Sequence, residues 1–494
     1  MLSGTSDNYP ISFAEAELCL PKGSTDMTRK RIFAAFAGAL AGTVALSACG
    51  GAGAPSADTK QNEDAKEVTL TITANAVSGG KNSDGADWIT NYVIPKFEEA
   101  QKAKGVTAKV SFQPNGVDDQ AYKTKVSLDL STGQGADIAS IDGIWFGEFA
   151  DAGYIKPLED VVGKDKVEAW DGWKQIKPAV QQLTTYEDKL YGVPEGTDGR
   201  VIYFNKNLFE KAGLPTDWQP KSWDEILEAA RKLKKLPGVT PLQINAGKAM
   251  GEATTMQGFL PLLQGTGQPI NKDGKWQGNS QAVQDVLGLY AKVYGEEKLG
   301  DPLLQQDAKG RDKSFLEFSQ NKLGIMIESD YLWCSVINPK TGVAPMADRD
   351  TAVGWAKIPA KAPGQGPDGA DFVSMSGGSG QIINPKTKYP QQAWELLQFM
   401  SSADAIKAKL KGAARISPRD DVNAETLKSD PLMDFVSTEA LPVTAYRPGL
   451  ADYTLVSTEL QDATGKVAAG KSAAEAGEAY QKALEGIVGD QIFK

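Results

Sequence analysis

The chain has 494 residues, with 53 Lys and Arg against 63 Asp and Glu, which gives a formal net charge of −10 at pH 7. At roughly 150 residues per domain this length suggests two or three globular units, and a hydrophobic fraction of 41% provides an ample core. The acidic balance argues against nucleic-acid binding, because that affinity comes from Lys and Arg neutralising phosphates. The absence of histidine excludes His-dependent nucleophiles and His-ligated metals, and three cysteines cannot form a cysteine-only zinc site. We therefore expect neither a metal nor a cofactor.

The first part of the chain has the features of an export signal. Three cations at 29–31 follow Met27, and the next 17 residues, 32–48, carry no charge. A cationic start, a short apolar stretch and small residues before a cleavage point are typical of a secretory signal. A cysteine directly after those small residues, Cys49, resembles the bacterial lipobox, in which the cysteine is lipidated and becomes the new N-terminus. The alternative is a membrane-spanning anchor, for which 17 residues are at the short limit.

The order of the N-terminal segments follows from this signal. Residues 1–26 contain acids and prolines that fit no signal, so we predict that translation starts at Met27. Residues 27–48 are then the signal peptide, and 49–66 form a flexible tether because they are small, polar and free of aromatic residues. Lipidation at Cys49 would anchor the protein on the extracellular face of the bacterial cell membrane.

Strands and helices alternate along the rest of the chain. Composition and spacing predict strands at 68–73, 109–112, 137–141, 201–204, 323–327 and 381–383, and helices at 89–103, 122–131, 222–236, 391–400 and 472–487. Ser222, followed three residues later by Glu225, predicts a capping box at the start of helix 222–236. This rhythm predicts an α/β fold with a mainly parallel sheet.

Short motifs occur in a fixed order from about residue 68 to the C-terminus. They are TGQGADI at 132–138, FADAGYIKPL at 149–158, YGVP at 191–194, YFNKNLF at 203–209, PKSWDE at 220–225, LGIMI at 323–327, GGSG at 377–380 and ISPR at 416–419. This series resembles the signature of extracellular solute-binding proteins family 1, the substrate-capturing components of ATP-driven importers, to which maltose-binding protein belongs. Each motif alone is weak, whereas their common order is specific.

The resemblance implies a two-lobe, periplasmic-binding-protein-like fold of type II, in which chain crossings join two α/β lobes around the ligand. Matching the motifs places crossings near 194–200, 320–323 and 372–380. The first lobe would comprise 67–197 with 323–374, and the second 198–322 with 375–494. The resemblance further implies a monomer that captures a carbohydrate, a di- or oligosaccharide, and delivers it to ABC permease subunits in the membrane without catalysis.

The chemistry of a sugar ligand indicates which residues to expect in the cleft. A sugar ring presents an apolar face and a belt of hydroxyls, so aromatic rings beside carboxylates, amides and guanidinium groups at strand ends are the expected set. We predict ligand contacts for these residues, the last through its backbone: Asn75, Asp142, Trp145, Asp198, Asp330, Trp333, Trp355, Arg415 and Gly378.

Each of these side chains also has a structural interpretation. The alternatives are a turn for Asn75, a helix cap over a packed ring for Asp142 and Trp145, an ion pair with Arg200 for Asp198, lobe closure for Asp330 and Trp333, core for Trp355, and a salt bridge for Arg415.

Two other functions also compete with sugar capture. A secreted glycoside hydrolase would need two carboxyls flanking one bond and is disfavoured by the motif order, whereas polyamine capture would need an acidic aromatic box.

Overall fold

Two mixed β-sheets organise the part of the chain that the computed structural model describes, residues 58–80, 82–117 and 119–494. The predicted signal peptide and Cys49 lie outside these residues. Residues 58–66, predicted as the end of a flexible tether, instead form turns. The side-chain amide of Gln391 donates to the carbonyl of Thr59 at 2.6 Å, and that of Gln392 donates to the carbonyl of Asn62 at 2.8 Å. This part of the predicted tether is therefore attached to the folded body.

The strands of the described residues confirm the six predicted strands. In chain order they are β1 Glu67–Ala74, β2 Thr107–Pro114, β3 Ile138–Asp142, β4 Thr185–Tyr186, β5 Lys189–Leu190, β6 Gly192–Thr197, β7 Arg200–Asn205, β8 Thr240–Gln243, β9 Asn271–Lys272, β10 Lys275–Gln277, β11 Leu323–Ser329, β12 Val353–Ala356, β13 Ile358–Pro359, β14 Phe372–Ser376, β15 Gly378–Ile383, β16 Thr444–Tyr446 and β17 Ile492–Phe493.

The α-helices include the five that the sequence predicts. They are α1 Ser83–Trp88, α2 Ile94–Ala103, α3 Asp119–Thr132, α4 Phe146–Asp151, α5 Leu158–Val162, α6 Lys164–Glu168, α7 Pro178–Gln181, α8 Lys206–Lys211, α9 Trp223–Leu233, α10 Glu252–Thr254, α11 Leu260–Gln264, α12 Gln281–Ala291, α13 Gly310–Ser319, α14 Arg349–Ala352, α15 Pro390–Met400, α16 Ala403–Leu410, α17 Asp420–Thr426, α18 Pro431–Phe435, α19 Tyr453–Ala468 and α20 Ala473–Val488. A π-helical turn, Ile89–Val93, joins α1 to α2. No helix of the described residues is long and apolar enough to cross a membrane.

Two predicted helix starts differ in their hydrogen bonding. At α9 the Ser222 hydroxyl accepts the N–H of Glu225, but the Glu225 carboxylate accepts the N–H of Lys221 at 2.8 Å rather than that of Ser222. The predicted capping box is therefore displaced by one residue on its acidic side. At α20, Ser472 and Glu475 form the complete reciprocal pair.

The first sheet has the strand order β2-β1-β3-β15-β6. β1 is parallel to β2 and β3, whereas β15 is antiparallel to both β3 and β6. The ends of β1, β3 and β6 and the start of β15 therefore lie at the same edge. Because β15 runs antiparallel to its neighbours, the sheet is mixed and not mainly parallel as predicted.

The second sheet has the order β12-β7-β11-β8, and a smaller sheet has the order β13-β14-β16. β11 pairs parallel with β8 and antiparallel with β7, which is antiparallel to β12. Every residue of β7 and of β11 is buried, as expected for inner strands covered on both faces.

Strand pairing differs from the predicted division into lobes. The chain changes sheets between Thr197 and Arg200 and again between Ser376 and Gly378, within two of the predicted crossings. At 320–323, however, it stays beside β8, so β11 and β12 belong to the second sheet and not to the lobe predicted for 67–197 and 323–374. β15 belongs to the first sheet and not to the group 198–322 and 375–494. A buried apolar run identifies an inner strand, but its neighbours are set by tertiary packing.

Hydrophobic clusters cover both faces of each sheet. One cluster includes Ile72 of the first sheet and Tyr203 of the second, and another packs on the opposite face of the second sheet through Ile202 and Phe204. A further cluster covers the other face of the first sheet through Ile141. The two-residue side-chain period of the strands explains why adjacent residues of β7 enter different clusters.

Candidate functional site

A cavity of about 670 Å³ lies at the edge of the first sheet where β1, β3 and β6 end, and we call it the strand-end cavity. This volume is within the usual range of about 300–1,000 Å³ for small-molecule sites. Six of the residues predicted to contact a ligand line it: Asn75, Asp142, Trp145, Asp198, Gly378 and Arg415. Asn75, Asp142 and Asp198 converge because residues at the ends of parallel strands meet at one edge of a sheet. Gly378 reaches the same edge at the start of the antiparallel β15, and Arg415 reaches it from the loop after α16.

Asp142 has the capping role stated as its structural alternative and also lines the strand-end cavity. Its carboxylate accepts the N–H of Ile144 at 3.0 Å and so caps the short turn that follows β3, while it also lines the cavity. Burial raises the pKa of Asp142, and the guanidinium of Arg447, 3.7 Å away, opposes that rise. Trp145 packs with its ring near Phe149, at 6.2 Å between centroids and 24° between planes, so it serves both the core and the cavity wall.

Asp198 lies where the chain passes from the first sheet to the second. Its carboxylate pairs with Arg200 and accepts the N–H of Gly377 at 2.6 Å, and its backbone carbonyl accepts the hydroxyl of Ser376. The ion pair anticipated as its alternative role is therefore present. One third of the Asp198 side chain is still exposed, at 33%, which leaves part of the carboxylate accessible from the cavity.

Asn75 presents an acceptor atom at the strand-end cavity. Its amide nitrogen donates to the carbonyl of Val117 and to the carboxylate of Asp119, both at 3.1 Å. Its side-chain oxygen is buried and has no hydrogen-bond partner among the described residues. Because a buried polar atom without a partner is costly, such an atom calls for an explanation, and a ligand donor would supply one.

Arg415 and Gly378 complete the predicted lining. Arg415 is exposed and makes no hydrogen bond or ion pair with other residues of the described ranges, so its guanidinium is available. Gly378 has φ +150°, and a Cβ built on it would lie 2.1 Å from the carbonyl oxygen of Gly196. Only glycine fits this close approach of β15 to β6.

A second cavity of about 720 Å³ adjoins the first, and we call it the inter-sheet cavity. It is lined on one side by the turn after β3 and by β4, and on the other by α11, the hairpin of β9 and β10, and the loop after β16. Asp142 and Gly378 line both cavities. The two spaces therefore share a wall at the end of β3 and the start of β15.

The described residues contain no group of three or more Cys, Asp or Glu side chains arranged to hold a metal ion. The arrangement at the two cavities is instead one of hydrogen-bond donors, acceptors and aromatic edges. The family of bacterial extracellular solute-binding proteins matches residues 81–407. The chain belongs to this family.

Individual relatives of this solute-binding family support the assignment. A binding protein of Brucella abortus (strain 2308) is 27% identical to this chain over 424 residues. The match covers 84% of this chain and 91% of the Brucella protein. A solute-binding protein of an ABC transporter from Thermotoga lettingae, bound with α-D-tagatose, has a TM-score of 0.58 and 25% identity, over 84% of this chain and 99% of its own.

The fold alone is shared with more distant members. The cyclic α-maltosyl-1,6-maltose binding protein of Arthrobacter globiformis superposes with a TM-score of 0.66 at 19% identity, over 85% of this chain and 99% of its own. The predicted two-lobe fold of solute-binding proteins is thereby confirmed. The proteins of this family and the neighbours in structure are substrate-binding proteins and not enzymes.

Three predicted contact residues lie away from both cavities of this solute-binding protein. The indole N–H of Trp333 donates to the carboxylate of Asp430 at 2.9 Å, and the Arg349 guanidinium lies 3.7 Å from the centroid of its ring. Trp355 packs edge-on against Trp333 at 5.6 Å between centroids. These contacts correspond to the structural alternatives stated for the two tryptophans.

Asp330 is the third of these residues. It lies beside Gly199 at the point where the chain enters the second sheet, and its backbone N–H donates to the carbonyl of Gly199 at 3.1 Å. Burial and the nearby carboxylate of Asp198 raise the pKa of Asp330 to about 7, although Arg200 acts in the opposite direction. Asp330 is a half-buried acid that does not line either cavity.

Two cavity residues were not predicted from the sequence of this solute-binding protein. Glu195 and Lys409 form an ion pair at 2.8 Å in the wall of the strand-end cavity. Burial alone would raise the pKa of Glu195, but Lys409 and hydrogen bonds from Ser140 and Ser379 lower it below its usual value. Glu195 lies in the crossing predicted near 194–200, whereas no local pattern around Lys409 of α16 indicates its position in the cavity wall.

At the inter-sheet cavity, Arg447 was likewise not predicted from the sequence. It follows β16 and lies 3.2 Å from Glu252 and 3.7 Å from Asp142. The dipeptide Arg447-Pro448 before a glycine indicates a turn, but nothing local indicates that the turn reaches the end of β3.

Proposed function

We propose that this protein is the ligand-capturing lipoprotein of an ABC importer and that it binds a di- or oligosaccharide, which it delivers to membrane permease subunits without chemical change. The observation that carries the proposal is the convergence on one cavity of an aromatic ring, carboxylates, an amide and an unpaired guanidinium from four separate chain segments. The sugars bound by the Thermotoga lettingae and Arthrobacter globiformis proteins support the same ligand class.

The chemistry of the strand-end cavity suits a neutral molecule rich in hydroxyls. A hydroxyl both donates and accepts, and the cavity offers acceptors at Asp142, Asp198 and Asn75 and a donor at Arg415. The ring of Trp145, which lines the cavity, supplies apolar surface against which the C–H face of a sugar ring can pack. No part of this scheme requires a nucleophile or a general base, so we infer that capture, and not catalysis, is the function.

Capture would proceed by closure of the lobes around the ligand. The segments between Thr197 and Arg200 and around Gly377 are two of the places where the chain changes sheets, and they lie beside the strand-end cavity. A ligand that contacts groups from both sides stabilises the closed arrangement by the difference between its contacts in the two states. The permease would then recognise the closed form.

The membrane attachment rests on the sequence around Cys49. Replacing Cys49 with Ser should release the protein from the cell membrane and abolish incorporation of a labelled fatty acid. Retention of the Cys49→Ser variant at the membrane, through an uncleaved apolar segment 32–48, would favour the anchor alternative instead.

Calorimetric titration with a glycan panel tests the proposed ligand class. We expect Asp142→Asn and Arg415→Gln to weaken sugar binding about 10- to 100-fold, which corresponds to about 1.4–2.8 kcal/mol. Trp333→Phe is the matched control, since Trp333 lies outside both cavities, and it should leave the affinity unchanged. Binding of spermidine or putrescine in place of every glycan would favour the polyamine alternative, and new reducing ends in the titrated oligosaccharides would favour a hydrolase.

A further inference from the structure

Residues 58–66, which we call the clasp, are held by two glutamines at the start of α15. The side chains of Gln391 and Gln392 are only 9% and 7% exposed, and buried amides need hydrogen-bond partners. Both side chains donate to backbone carbonyls of the clasp, at 2.6–3.0 Å. The accepting carbonyls are those of Thr59, Asn62 and Glu63. Two buried amides of the folded body are thus used to hold the chain that precedes β1.

Further contacts hold the clasp from its own side. The Asn62 amide donates to the carbonyl of Lys388 at 2.8 Å, and Asn62 has φ +54°, a left-handed conformation that asparagine tolerates. The Lys166 ammonium lies 3.8 Å from the Glu63 carboxylate. Ala65 packs against the hydrophobic cluster that includes Ile72. The clasp is therefore fixed by hydrogen bonds given in both directions and by an apolar contact.

The clasp lies at the edge of the first sheet opposite to the strand-end cavity. β1, β2 and β3 are parallel and begin at this edge, and β15 ends there because Ile383 pairs with Ile138. We call it the clasp edge. The eight residues of β1 separate it from the strand-end cavity by about 23 Å at the usual rise of a parallel strand.

The length of chain before the clasp limits how the body can lie on a membrane. Under the proposed function this chain is anchored in lipid at Cys49, nine residue steps before Asp58 and eighteen before Glu67. A flexible chain has a root-mean-square length of about 17 Å over nine residues and about 24 Å over eighteen. Only the longer chain matches the 23 Å between the two edges, so a closed clasp keeps the strand-end cavity away from the bilayer.

We propose that the clasp edge is the surface of the protein that lies nearest the lipid bilayer, and that Gln391 and Gln392 keep it there by fixing where the anchored chain leaves the body. This inference rests on the proposed lipidation of Cys49 and deepens it. The strand-end cavity then opens at the end of the first sheet remote from the bilayer. Release of the clasp lengthens the anchor chain and lets the body turn.

Trypsin cleavage of the unlipidated protein tests the clasp by itself. Lys60 is exposed, but cleavage after it requires the surrounding clasp to leave the body. Gln391→Met with Gln392→Met keeps the side-chain volumes and removes both amides, so we expect this cleavage to be roughly tenfold faster or more. Asn62→Gly keeps the left-handed backbone and should accelerate it from the other side. Gln398→Met is the matched control, because Gln398 lies on α15 but has no hydrogen bond to the clasp within the described residues.

Energy transfer to acceptor lipids measures the orientation of the lipidated protein on phosphatidylcholine vesicles. A dye is attached through Lys388→Cys at the clasp edge, or through Lys411→Cys after α16, the helix whose last residue lines the strand-end cavity. Cys334→Ser in both proteins leaves a single reactive thiol. We expect transfer from position 388 to exceed that from position 411 at least twofold, and the two values to approach each other in the double glutamine variant.

Thermal unfolding of each variant checks that it folds. Equal transfer from the two positions in the protein with an intact clasp would overturn the assignment of the membrane-proximal edge. Cleavage after Lys60 that neither the double glutamine variant nor Asn62→Gly accelerates would overturn the role of the clasp. A wild-type protein that carries no fatty acid and does not attach to vesicles would instead overturn the proposed lipidation, and this inference with it.

Discussion

Gly147 and Gly449 meet so closely that a Cβ built on Gly147 would lie 2.1 Å from the carbonyl oxygen of Gly449. Gly147 belongs to α4, which follows the first sheet, and Gly449 belongs to the loop after β16. The same carbonyl accepts the N–H of Glu148 at 3.0 Å. This contact joins the two walls of the inter-sheet cavity and depends on the absence of side chains at both positions.

Gly147→Ala should therefore separate the two walls. The added methyl group meets backbone, which cannot turn aside as a flexible side chain would, so we expect a loss of about 1–3 kcal/mol in the free energy of unfolding. We also expect a larger radius of gyration. Urea denaturation and small-angle X-ray scattering measure these two effects.

Gly288→Ala is the control for that substitution. Gly288 lies within α12, and a Cβ at this position would have no atom within 4 Å. Since alanine favours a helix over glycine, this variant should gain about 0.5–1 kcal/mol and keep the wild-type dimensions. If Gly147→Ala has the same free energy of unfolding and the same dimensions as the wild type, the walls of the inter-sheet cavity accommodate the added methyl group without loss of stability.

Trp333→Phe should reduce stability and not ligand affinity. The substitution removes the donor to the Asp430 carboxylate, a hydrogen bond to a charged group, which costs about 1.5–3 kcal/mol. Urea denaturation and ligand titration of the same preparation separate the two effects. If Trp333→Phe keeps its stability but loses its affinity for the ligand, Trp333 contacts the ligand as predicted from the sequence.

Asp330 should make stability fall as the pH rises toward 7. Its pKa is about 7 in the folded protein, against about 3.9 for an unperturbed aspartate, so the folded chain holds a proton that the unfolded chain has released. The contribution is full below about pH 4 and is lost between there and pH 7. Asp330→Asn should flatten this part of the profile of unfolding free energy against pH.

An exposed carboxyl serves as the control for Asp330. Glu478→Gln, on the exposed side of α20, should leave the shape of the pH profile unchanged. If Asp330→Asn and Glu478→Gln have the same profile as the wild type between pH 4 and 8, Asp330 does not keep its proton on folding.

Lys409→Met should destabilise the protein more at pH 7 than at pH 4. It leaves the Glu195 carboxylate in the cavity wall without its cation, and an unpaired buried charge costs about 3–5 kcal/mol. The lowered pKa of Glu195 means that its stabilising contribution is present at neutral pH and is lost as the pH falls through that value. At pH 4 the variant can protonate Glu195, so the difference from the wild type shrinks.

The double variant Glu195→Gln with Lys409→Met isolates the charge. Removing both partners should recover most of the stability lost in Lys409→Met at pH 7, as measured by urea denaturation at the two pH values. No recovery would mean that the contact of the Lys409 ammonium with the Trp88 ring, 4.9 Å from the ring centroid, matters more than the ion pair.

Local patterns were sufficient to predict the elements but not their arrangement. The β-branched run of β1 and the capped amphipathic α9 are determined by neighbours in the sequence, and both occur as predicted. The apolar run of β11 shows that it is an inner strand, yet its position beside β7 and β8 depends on residues some 80–130 positions earlier in the chain. Because strand neighbours depend on such distant residues, the lobe division implied by the family resemblance assigned β11 to the wrong lobe.

In the candidate site, too, the residues placed by local sequence were predictable and those placed by tertiary packing were not. Asn75 and Asp142 directly follow or end strands, so the convergence of parallel strand ends made their proximity predictable. Lys409 and Arg447 reach the cavities from a helix and a loop, and their approach is a matter of tertiary packing. For Trp333 the sequence cannot distinguish a ring that faces a ligand from one whose N–H is already used by Asp430.

Asp198 ties together two of the places where the chain changes sheets. Its carboxylate holds Arg200 on one strand and the N–H of Gly377 on the other, and its carbonyl holds Ser376. The two connecting segments therefore cannot bend independently of each other. A substitution at Asp198 would therefore loosen both connections at once, because the same carboxylate holds Arg200 and Gly377.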